Sequence, residues 1–420
     1  MGLNKRHIVS WTLFDFANSS YSAVIAAVVF PVFYANAIVG NHEGLGDLWW
    51  GRAISLSMAL VAVSSPLLGG IADFGGRRKK FLFLYTAMSV VAVASFSVLK
   101  KGMVLEGFVL ASIANLGMEG GLVFYNSYLP RIAPKEYQGR VSAWGFMVGY
   151  AGSIASLLLA LPLVKTGHYS GAWIMVAGFF AFFSMPAFMF LPRDVKAGSI
   201  ITSGKRGFQY TMGTLKKIWG RSVARNFLFS YLLYEDGVNT VIVFSSIFAA
   251  TTLGFSPQEL IILYLIVQTT ALLGSLAMAK PIDYWGPKKV VVLSLIMWTC
   301  VSIIAFFVQT KTHFLGLAVI AGLGLGTVQA ASRAFYAQFI PQGSEAQYFG
   351  VYSLVGKSSA VLGPLVFGYM STTFGSQRPA ILSVACFFLI GLSILWFVSG
   401  GGPNVRSGLS FADEQSVKNE

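Results

Sequence analysis

A carboxylate stands inside the first long apolar stretch of the chain, at Asp15. Ionisable side chains are rare in membrane-spanning segments, where they usually face a protein interior or a water-filled cavity. At helical spacing this carboxylate shares one face with Trp11, Asn18, Ser19 and Ser22. Because lipid favours an apolar surface, the polar face predicts one wall of a path for a polar molecule.

A second carboxylate, Asp236, occupies a matching position later in the chain. The five residues from Asp15 (Asp-Phe-Ala-Asn-Ser) match the five from Asp236 (Asp-Gly-Val-Asn-Thr) at an offset of 221 (236 − 15), which pairs Asn18 with Asn239. Both carboxylates lie about 13 to 16 Å beyond the preceding arginine at about 1.5 Å per residue. We expect them to face each other across a central cavity, where a change of protonation could couple transport to protons. Alternatively, one or both stabilise helix packing within their own half.

Two stripes of polar side chains in later apolar stretches are further candidates for contact with a solute or a coupling ion. The stripes consist of Asn115, Glu119 and Asn126, and of Gln329, Arg333 and Tyr336. A guanidinium inside the membrane must be paired or hydrated, and its planar fork suits a carboxylate. Arg333 therefore either binds an anionic group of the solute or forms an ion pair, for which the candidate partners are Asp15, Asp236 and Glu119.

The composition is that of a polytopic helical membrane protein. Of the 420 residues, 55% are hydrophobic and 11% are charged, whereas about a quarter of the residues in soluble proteins are charged. Of the 30 Lys and Arg residues, we assign 22 to one side of the membrane, 6 to the other and 2 to apolar stretches. This asymmetry predicts cytoplasmic termini and argues against nucleic acid as a partner. The sequence contains no phosphate-binding loop, zinc ligand set or nucleophile elbow, so we predict neither an enzyme nor a bound cofactor or metal.

Twelve apolar stretches are long enough to cross a membrane at about 20 residues each. They cover 8–37, 50–72, 81–99, 103–129, 141–163, 169–191, 225–251, 257–279, 290–309, 313–339, 349–372 and 378–399. The predicted organisation is a six-helix bundle over 1–192, a cytoplasmic linker over 193–222, a second six-helix bundle over 223–400 and a cytoplasmic tail over 401–420. Within the linker, a stripe at helical spacing predicts a helix along the lipid surface. This stripe consists of Phe208, Met212, Leu215 and Trp219.

Two further segments repeat between the halves. Residues 124–130 align with 335–341 at an offset of 211 (335 − 124), and residues 73–79 align with 283–289 at an offset of 210 (283 − 73). Three matches in the same order and orientation predict a parallel duplication of six helices. The repeat pairs Tyr125 with Tyr336, which are expected either to gate the cavity or to anchor helices at the membrane interface.

This organisation resembles the major facilitator superfamily over nearly the whole chain. The resemblance rests on the twelve stretches, the basic linker and the repeated turn, which reads Gly-Ile-Ala-Asp-Phe-Gly-Gly-Arg-Arg-Lys over 70–79. The motif Trp-Thr-Leu-Phe-Asp-Phe-Ala-Asn-Ser-Ser-Tyr over 11–21 is similar, more narrowly, to the branch related to the yeast vacuolar amino-acid effluxer. The resemblance implies the major facilitator fold and offers amino acids as one class of solute.

The resemblance also implies gating residues. In the superfamily the acidic residue of the first repeated turn latches the cytoplasmic side, which gives this role to Asp73, together with Arg77 and Arg78. Asp283 is its counterpart in the second half, where Pro287 stands in place of a basic residue and weakens the latch. Lys357 lies on the eleventh stretch, which in the superfamily is at the contact between the halves; it is a further gating candidate, and the sequence leaves open whether it belongs to this latch.

These features predict a secondary transporter that moves a small polar solute by alternating access, coupled to protons. The expected partners are the solute, the proton and membrane lipid, and we expect a monomer in a bacterial inner membrane. Two alternatives stay open. An exporter of amphipathic compounds or siderophores would use the same fold, and the 35 Phe residues fit an aromatic-lined cavity. A non-transporting membrane sensor would keep the fold without transport, since fold alone does not fix function.

Overall fold

The computed structural model describes residues 4–133, 135–194, 198–340 and 345–398. These residues form helices and no strand. Twelve of their helical segments are long and apolar enough to cross a membrane. The prediction of an all-α, multi-pass membrane protein is confirmed.

The N-terminal half contributes six spans. The first, α1, covers Lys5–Val39 and includes wider π-helical turns over Tyr21–Val28 and Phe33–Val39. The others are α2 (Leu45–Phe74), α3 (Arg78–Ser95), α4 (Val104–Asn126), α5 (Lys135–Lys165) and α6 (Tyr169–Phe190). Between α1 and α2 the chain turns through Gly40 and Gly44, whose φ angles of 77° and 74° favour glycine.

The linker contains one helix, α7 (Ile200–Trp219), and the C-terminal half follows. Its spans are α8 (Ser222–Leu253), α9 (Pro257–Trp285), α10 (Pro287–Phe307), α11 (Lys311–Ala337), α12 and α13 (Gln377–Trp396). The span α12 consists of two helices, Glu345–Ser358 and Leu362–Phe374, with a break at 359–361. Pro364 accounts for the break, because a proline ring clashes with the carbonyl group four residues earlier.

Equivalent helices of the two halves end at equivalent residues. The span α4 ends at Asn126 and α11 at Ala337, a separation of 211 (337 − 126). The span α2 ends at Phe74 and α9 at Trp285, also a separation of 211 (285 − 74). The helices therefore follow the duplication that the sequence predicts.

The halves meet differently at the two ends of the bundle. We call the end that carries α7 and the start of α1 the linker end, and the end that carries the turn at 40–44 the loop end. Towards the loop end, Ser55 Oγ donates to the carbonyl oxygen of Val361 (2.7 Å) and Thr251 Oγ1 donates to Asn36 Oδ1 (3.2 Å). At the linker end, the described residues form no hydrogen bond or ion pair between the two halves. The halves are thus closed against each other at the loop end.

The linker helix α7 packs along α2. Gly70 and Gly207 face each other so closely that a Cβ atom on Gly207 would lie 2.2 Å from the Cα atom of Gly70. Of the apolar stripe predicted from the sequence, Phe208 and Trp219 are 43% and 56% exposed. An amphipathic linker helix is present, and its position on the lipid surface stays a prediction.

Candidate functional site

The Asp15 carboxylate is held by side chains of the N-terminal half. The Tyr125 hydroxyl on α4 donates to Asp15 Oδ2 (2.6 Å), and Asn18 Nδ2 donates to Asp15 Oδ1 (3.4 Å). Trp11 stacks on Tyr125 with ring centroids 4.6 Å apart, and Trp11 Nε1 donates to the carbonyl oxygen of Tyr125 (3.2 Å). The polar face predicted for α1 therefore packs against α4 and leaves Asp15 half-buried.

Glycines bring α5 close to the same face of α1. A Cβ atom at Gly145 would lie 2.6 Å from Asp15 Oδ2, and one at Gly149 would lie 3.0 Å from Ser19 Oγ. A Cβ atom at Gly152 would lie 2.2 Å from the Phe16 carbonyl oxygen. These glycines recur at i, i+4 and i+7 and so share one helix face. Residues of α1, α4 and α5 therefore all lie close to Asp15.

The Asp236 carboxylate binds the break in α12. Both of its oxygens accept from the backbone N–H of Gly363, at 2.8 and 2.9 Å. This N–H lies in the first turn of the second helix of α12, where backbone donors have no partner within the helix. Asn239 Nδ2 also reaches the break and donates to Ser359 Oγ (3.3 Å). Asp236 is 2% exposed and acts as an N-terminal cap supplied by another helix.

The two matching carboxylates thus have different environments. We expected Asp15 and Asp236 to face each other across a shared cavity, and in this structure each is hydrogen-bonded within its own half. Asp15 accepts from side chains, whereas Asp236 accepts from a backbone group. The physical reason is that α12 is broken opposite Asp236, while the equivalent span α5 is continuous opposite Asp15.

Arg333 is exposed and has no carboxylate partner among the described residues. Its guanidinium carbon lies 5.7 Å from the centroid of the Phe146 ring on α5, in the other half. Of the two alternatives for Arg333, the ion pair with Asp15, Asp236 or Glu119 is not formed in the described part of the chain. Gln329, one helical turn earlier, is exposed as well. Arg333 therefore presents its guanidinium to the space beside α5.

A buried acidic group lies near Arg333. Glu235 on α8 is 8% exposed, and its Oε2 atom has no hydrogen-bond partner among the described residues. Its charge interacts with that of Arg333 without a direct ion pair. The ring of Tyr231, one helical turn before Glu235, contacts the rings of Tyr234 and Tyr352, and its centroid lies 4.3 Å from that of Tyr352.

Glu119 and Lys357 form an ion pair that joins the halves. The Lys357 ammonium on α12 donates to the Glu119 carboxylate on α4. The side chains are 22% and 19% exposed, respectively. We assigned Glu119 to solute or ion contact and left the place of Lys357 open. The structure brings the two together as one element of the contact between α4 and α12.

Of the other predicted polar residues, two are buried in contacts between helices and one is exposed. Asn115 is buried, donates to Ser57 Oγ (2.8 Å) and so joins α4 to α2. Asn126 is exposed at the end of α4. Tyr336 is fully buried, and its hydroxyl donates to the carbonyl oxygen of Tyr348 (3.0 Å). Tyr336 therefore contributes to packing in this structure rather than to an open stripe.

The predicted gating residues lie at the linker end. Arg78 forms an ion pair with Asp73 (2.9 Å), within the N-terminal half. Arg77 Nη2 donates to the carbonyl oxygen of Gly198, just before α7 (3.5 Å). The side chain of Asp283 lies outside the described residues. Asp73, Arg77 and Arg78 form no hydrogen bond or ion pair with the described residues of the C-terminal half, so their latch role stays a prediction.

A buried carboxylate that sequence analysis missed joins the halves at the loop end. Asp47 on α2 is fully buried and accepts from Asn41 Nδ2 (3.0 Å) in its own half. From the other half it accepts from Ser371 Oγ (2.5 Å) and from Gln377 Nε2 (2.8 and 3.0 Å). Thr252 Oγ1 donates to the same glutamine (2.7 Å). We call Asn41, Asp47, Ser371 and Gln377 the loop-end latch.

The described residues contain no group of three or more His, Cys, Asp or Glu side chains that could hold a metal ion. The charged groups inside the spans are instead arranged singly or in pairs. Such an arrangement can bind a charged or polar solute, or a proton.

The fold is that of MFS-type transporters, proteins of the major facilitator superfamily. The solved structure of the nucleoside transporter NupG matches with a TM-score of 0.70 and 14% identity, covering 95% of this chain and 99% of that chain. The D-xylose-proton symporter matches with a TM-score of 0.68 and 15% identity, covering 95% of this chain and 99% of that chain. At these identities the similarity shows the fold alone.

Within this superfamily, the chain belongs to the family described as "Vacuole effluxer Atg22 like", whose sequence pattern matches residues 52–401. The relative described as "Uncharacterized MFS-type transporter YxiO", from Bacillus subtilis, is 29% identical over 93% of this chain and 94% of the relative. Autophagy-related protein 22-1 of Penicillium rubens is 22% identical over 82% of this chain and 74% of the relative. The matched residues do not include the motif at 11–21, so the match confirms the predicted branch independently of that motif.

Proposed function

We propose that this MFS-type transporter moves a small polar solute with an anionic group, coupled to protons. Amino acids are the first class to test, because the family description names a vacuole effluxer and the motif at 11–21 resembles the same branch. The distribution of Lys and Arg supports cytoplasmic termini.

The observation that carries the proposal is the guanidinium of Arg333. It lies within an apolar span, is exposed, and has no carboxylate partner among the described residues. Unpaired charge within the membrane is costly and is characteristic of functional sites. The guanidinium fork binds carboxylates through two parallel hydrogen bonds. Arg333 therefore serves as the contact for the anionic group of the solute.

Asp15 serves as the coupling group. It is half-buried, whereas Asp236 is 2% exposed and committed to a backbone N–H. A proton must be able to reach and leave a coupling carboxylate as the bundle changes conformation. Accessibility therefore favours Asp15 for coupling, and the geometry of Asp236 favours a structural role.

Alternating access requires two states of the contact between halves. The structure has the halves joined at the loop end, through the loop-end latch and the bonds at Ser55 and Thr251. Opening this end would break these bonds, and closing the linker end would bring the Asp73 turn against the other half. The Glu119–Lys357 pair lies between the two ends and joins the halves there.

Counterflow in proteoliposomes tests the proposal. Vesicles that contain the purified full-length protein receive labelled amino-acid mixtures under an imposed pH gradient, and wild type is compared with Asp15→Asn. We expect wild type to take up amino acids with the gradient, and Asp15→Asn to keep exchange while losing gradient-driven uptake. Glu106→Gln, which removes an exposed carboxylate at the loop end of α4, serves as the matched control.

Two outcomes would contradict the proposal. Gradient-driven uptake that persists in Asp15→Asn would remove Asp15 as the coupling group. Absence of any amino-acid movement by wild type would remove this solute class, and the same vesicles would then be screened with organic acids, siderophores and amphipathic compounds.

A further inference from the structure

Asp47 joins the two halves at the loop end through a full set of hydrogen bonds. Its Oδ1 atom accepts from Asn41 Nδ2 and Gln377 Nε2, and its Oδ2 atom accepts from Ser371 Oγ and from the same amide of Gln377. These partners belong to the turn before α2, to α12 and to α13. Because Asp47 is fully buried, its carboxylate is stabilised by these donors and not by water.

The orientation of the two amides follows from their second contacts. Asn41 Oδ1 accepts from the backbone N–H of Asp47 (3.1 Å), which turns the NH2 group of Asn41 towards the carboxylate. Gln377 Oε1 accepts from Thr252 Oγ1 (2.7 Å), which turns the NH2 group of Gln377 the same way. An ionised carboxylate only accepts hydrogen bonds, whereas a protonated one must also donate. The arrangement therefore fits the ionised form of Asp47.

None of the charged or titratable side chains around the latch contacts Asp47 in the described part of the chain. At the loop end of the surrounding helices these side chains are His42, Glu43, Arg52, Glu106, Tyr369 and Arg378. Arg378 donates to two carbonyl oxygens at the end of α10, and Arg52 lies over the Trp49 ring. The Tyr34 hydroxyl on α1 donates to a carbonyl oxygen of α4, and 237–253 of α8 contains no ionisable residue. Neutral donors alone therefore stabilise the charge of Asp47.

A proton on Asp47 would weaken this contact. The proton must point at Ser371, Gln377 or Asn41, so one donor has to be reversed or displaced. The remaining hydrogen bonds would then go to a neutral group, and such bonds are roughly half as strong as bonds to an ionised one. The bonds of Ser371 and Gln377 are those that cross between the halves. Protonation therefore favours separation of the halves at the loop end.

We propose that Asp47 is a proton-binding site that controls the loop end: the ionised carboxylate holds the halves together, and its protonation releases them. By linkage, the state that is open at the loop end binds this proton more tightly than the closed state, so lower pH favours opening. The proposal rests on alternating access. It depends neither on the solute nor on the coupling role proposed for Asp15.

Distances across the loop end test the proposal. Spin labels are attached to Lys101→Cys and Gln309→Cys, at exposed positions on loop-end turns of opposite halves, in a background without Cys300 and Cys386. Pulsed electron paramagnetic resonance then measures the distance between the labels in lipid nanodiscs without solute, at about pH 8 and about pH 5. We expect the ratio of open to closed protein to rise about tenfold at the lower pH, because hydrogen bonds to a charged group are lost across the contact.

Two substitutions in the latch should change this response in different ways. Asp47→Asn keeps the size of the side chain but removes the ionised form, so we expect a high open ratio that is the same at both pH values. Gln377→Glu places a second carboxylate against Asp47, and the two can stay together only when they share a proton. We expect this variant to reverse the response, with the loop end closed at the lower pH and open at the higher pH.

Two control variants separate Asp47 from other titrating groups. His42→Gln removes the exposed histidine that follows Asn41, and Asp15→Asn removes the proposed coupling group. We expect both to keep the wild-type response. A response that is lost in either control but kept in Asp47→Asn would assign it to His42 or Asp15 instead.

Three further results would overturn the proposal. These are the absence of a pH response in wild type, an unchanged response in Asp47→Asn, and a wild-type response in Gln377→Glu. Since the distances are measured without solute, such a failure is distinct from a failure of the counterflow test of the proposed function.

Discussion

The hydroxyl of Tyr125 donates a 2.6 Å hydrogen bond to Asp15, so the first intramembrane carboxylate is held by a helix of its own half. Hydrogen bonds to charged groups contribute about 1.5 to 3 kcal/mol. We expect Tyr125→Phe to lower the free energy of unfolding by about that amount, measured by denaturation in mixed micelles. Tyr128→Phe is the control, because the Tyr128 hydroxyl is buried without a partner among the described residues and its removal should be neutral or stabilising. Equal losses in both variants would contradict this account of Asp15.

Glycine is required where Asp236 meets the break in α12. A Cβ atom at Gly363 would lie 1.9 Å from Thr240 Oγ1 and 2.7 Å from Asp236 Oδ1. We expect Gly363→Ala to destabilise the protein by about 1 to 3 kcal/mol, as overpacking does. Gly350→Ala on the same span has open space within 4 Å and should be neutral or slightly stabilising in its helix. The measurement is the thermal unfolding temperature of the two variants. An unchanged unfolding temperature in Gly363→Ala would argue against the role of Asp236 as a cap of the second helix of α12.

The loop-end latch should control the conformation of the bundle. Gln377→Ala removes two bonds that cross between the halves and one from Thr252 within the C-terminal half, whereas Asn41→Ala removes two bonds within the N-terminal half. Since two bonds between the halves are lost, we expect the first variant to shift the population towards a state open at the loop end by about tenfold. Alkylation of a cysteine placed at Ser55, in a background without Cys300 and Cys386, measures the shift. Similar alkylation rates in both variants would mean that the latch does not hold this end closed.

The Glu119–Lys357 ion pair predicts a coupling between the halves. Glu119→Gln and Lys357→Gln should each destabilise the protein, and the exchange Glu119→Lys with Lys357→Glu should restore much of the loss. A double-mutant cycle on unfolding should give a coupling energy of about 1 to 3 kcal/mol. Additive effects of the two single substitutions would show that the pair contributes nothing to the contact between α4 and α12.

Arg333 should set the affinity for the solute. Arg333→Lys keeps the charge but loses the planar fork, and Arg333→Gln loses both. We expect the KM for uptake to rise about tenfold or more in the glutamine variant and by a smaller factor in the lysine variant, because one charged hydrogen bond survives. Arg52→Gln, which removes an arginine stacked on Trp49, is the control and should leave the KM unchanged. If the KM is unchanged in both Arg333 variants, Arg333 does not bind the solute and its role is structural.

The spans and their duplication follow from the sequence because hydrophobic length and repeated motifs are local properties of the chain. The partners of the charged residues do not, since they depend on how helices are rotated and staggered in space. Glu119 and Lys357 are 238 residues apart, and nothing local couples them. Asp236 has its partner at Gly363 because α12 breaks, and the signal for that break was the Gly363-Pro364 pair within the predicted span 349–372.

Asp47 was missed for a related reason. The predicted second span began at residue 50, whereas α2 begins at Leu45, so the carboxylate stood in a presumed loop. The available signal was the position of this carboxylate, which follows two glycines, directly precedes the apolar run and lies six residues after Asn41. Extending the span by one helical turn would have placed it inside the membrane-spanning helix.

The packing of α7 on α2 changes what the connection between the halves can do. An extended linker of 30 residues over 193–222 would let the two halves move freely. Instead, α7 packs on the N-terminal half through Gly207 and Gly70, and it ends at Trp219. The next span begins at Ser222, which leaves Gly220 and Arg221 between the two bodies. When one half moves relative to the other, the chain must bend at these two residues, or α7 must separate from α2, and the contacts of α7 with α8 and α12 must change. The connection therefore consists of a helix fixed on α2 and a two-residue hinge at Gly220 and Arg221, and this short hinge limits how far the halves can rotate.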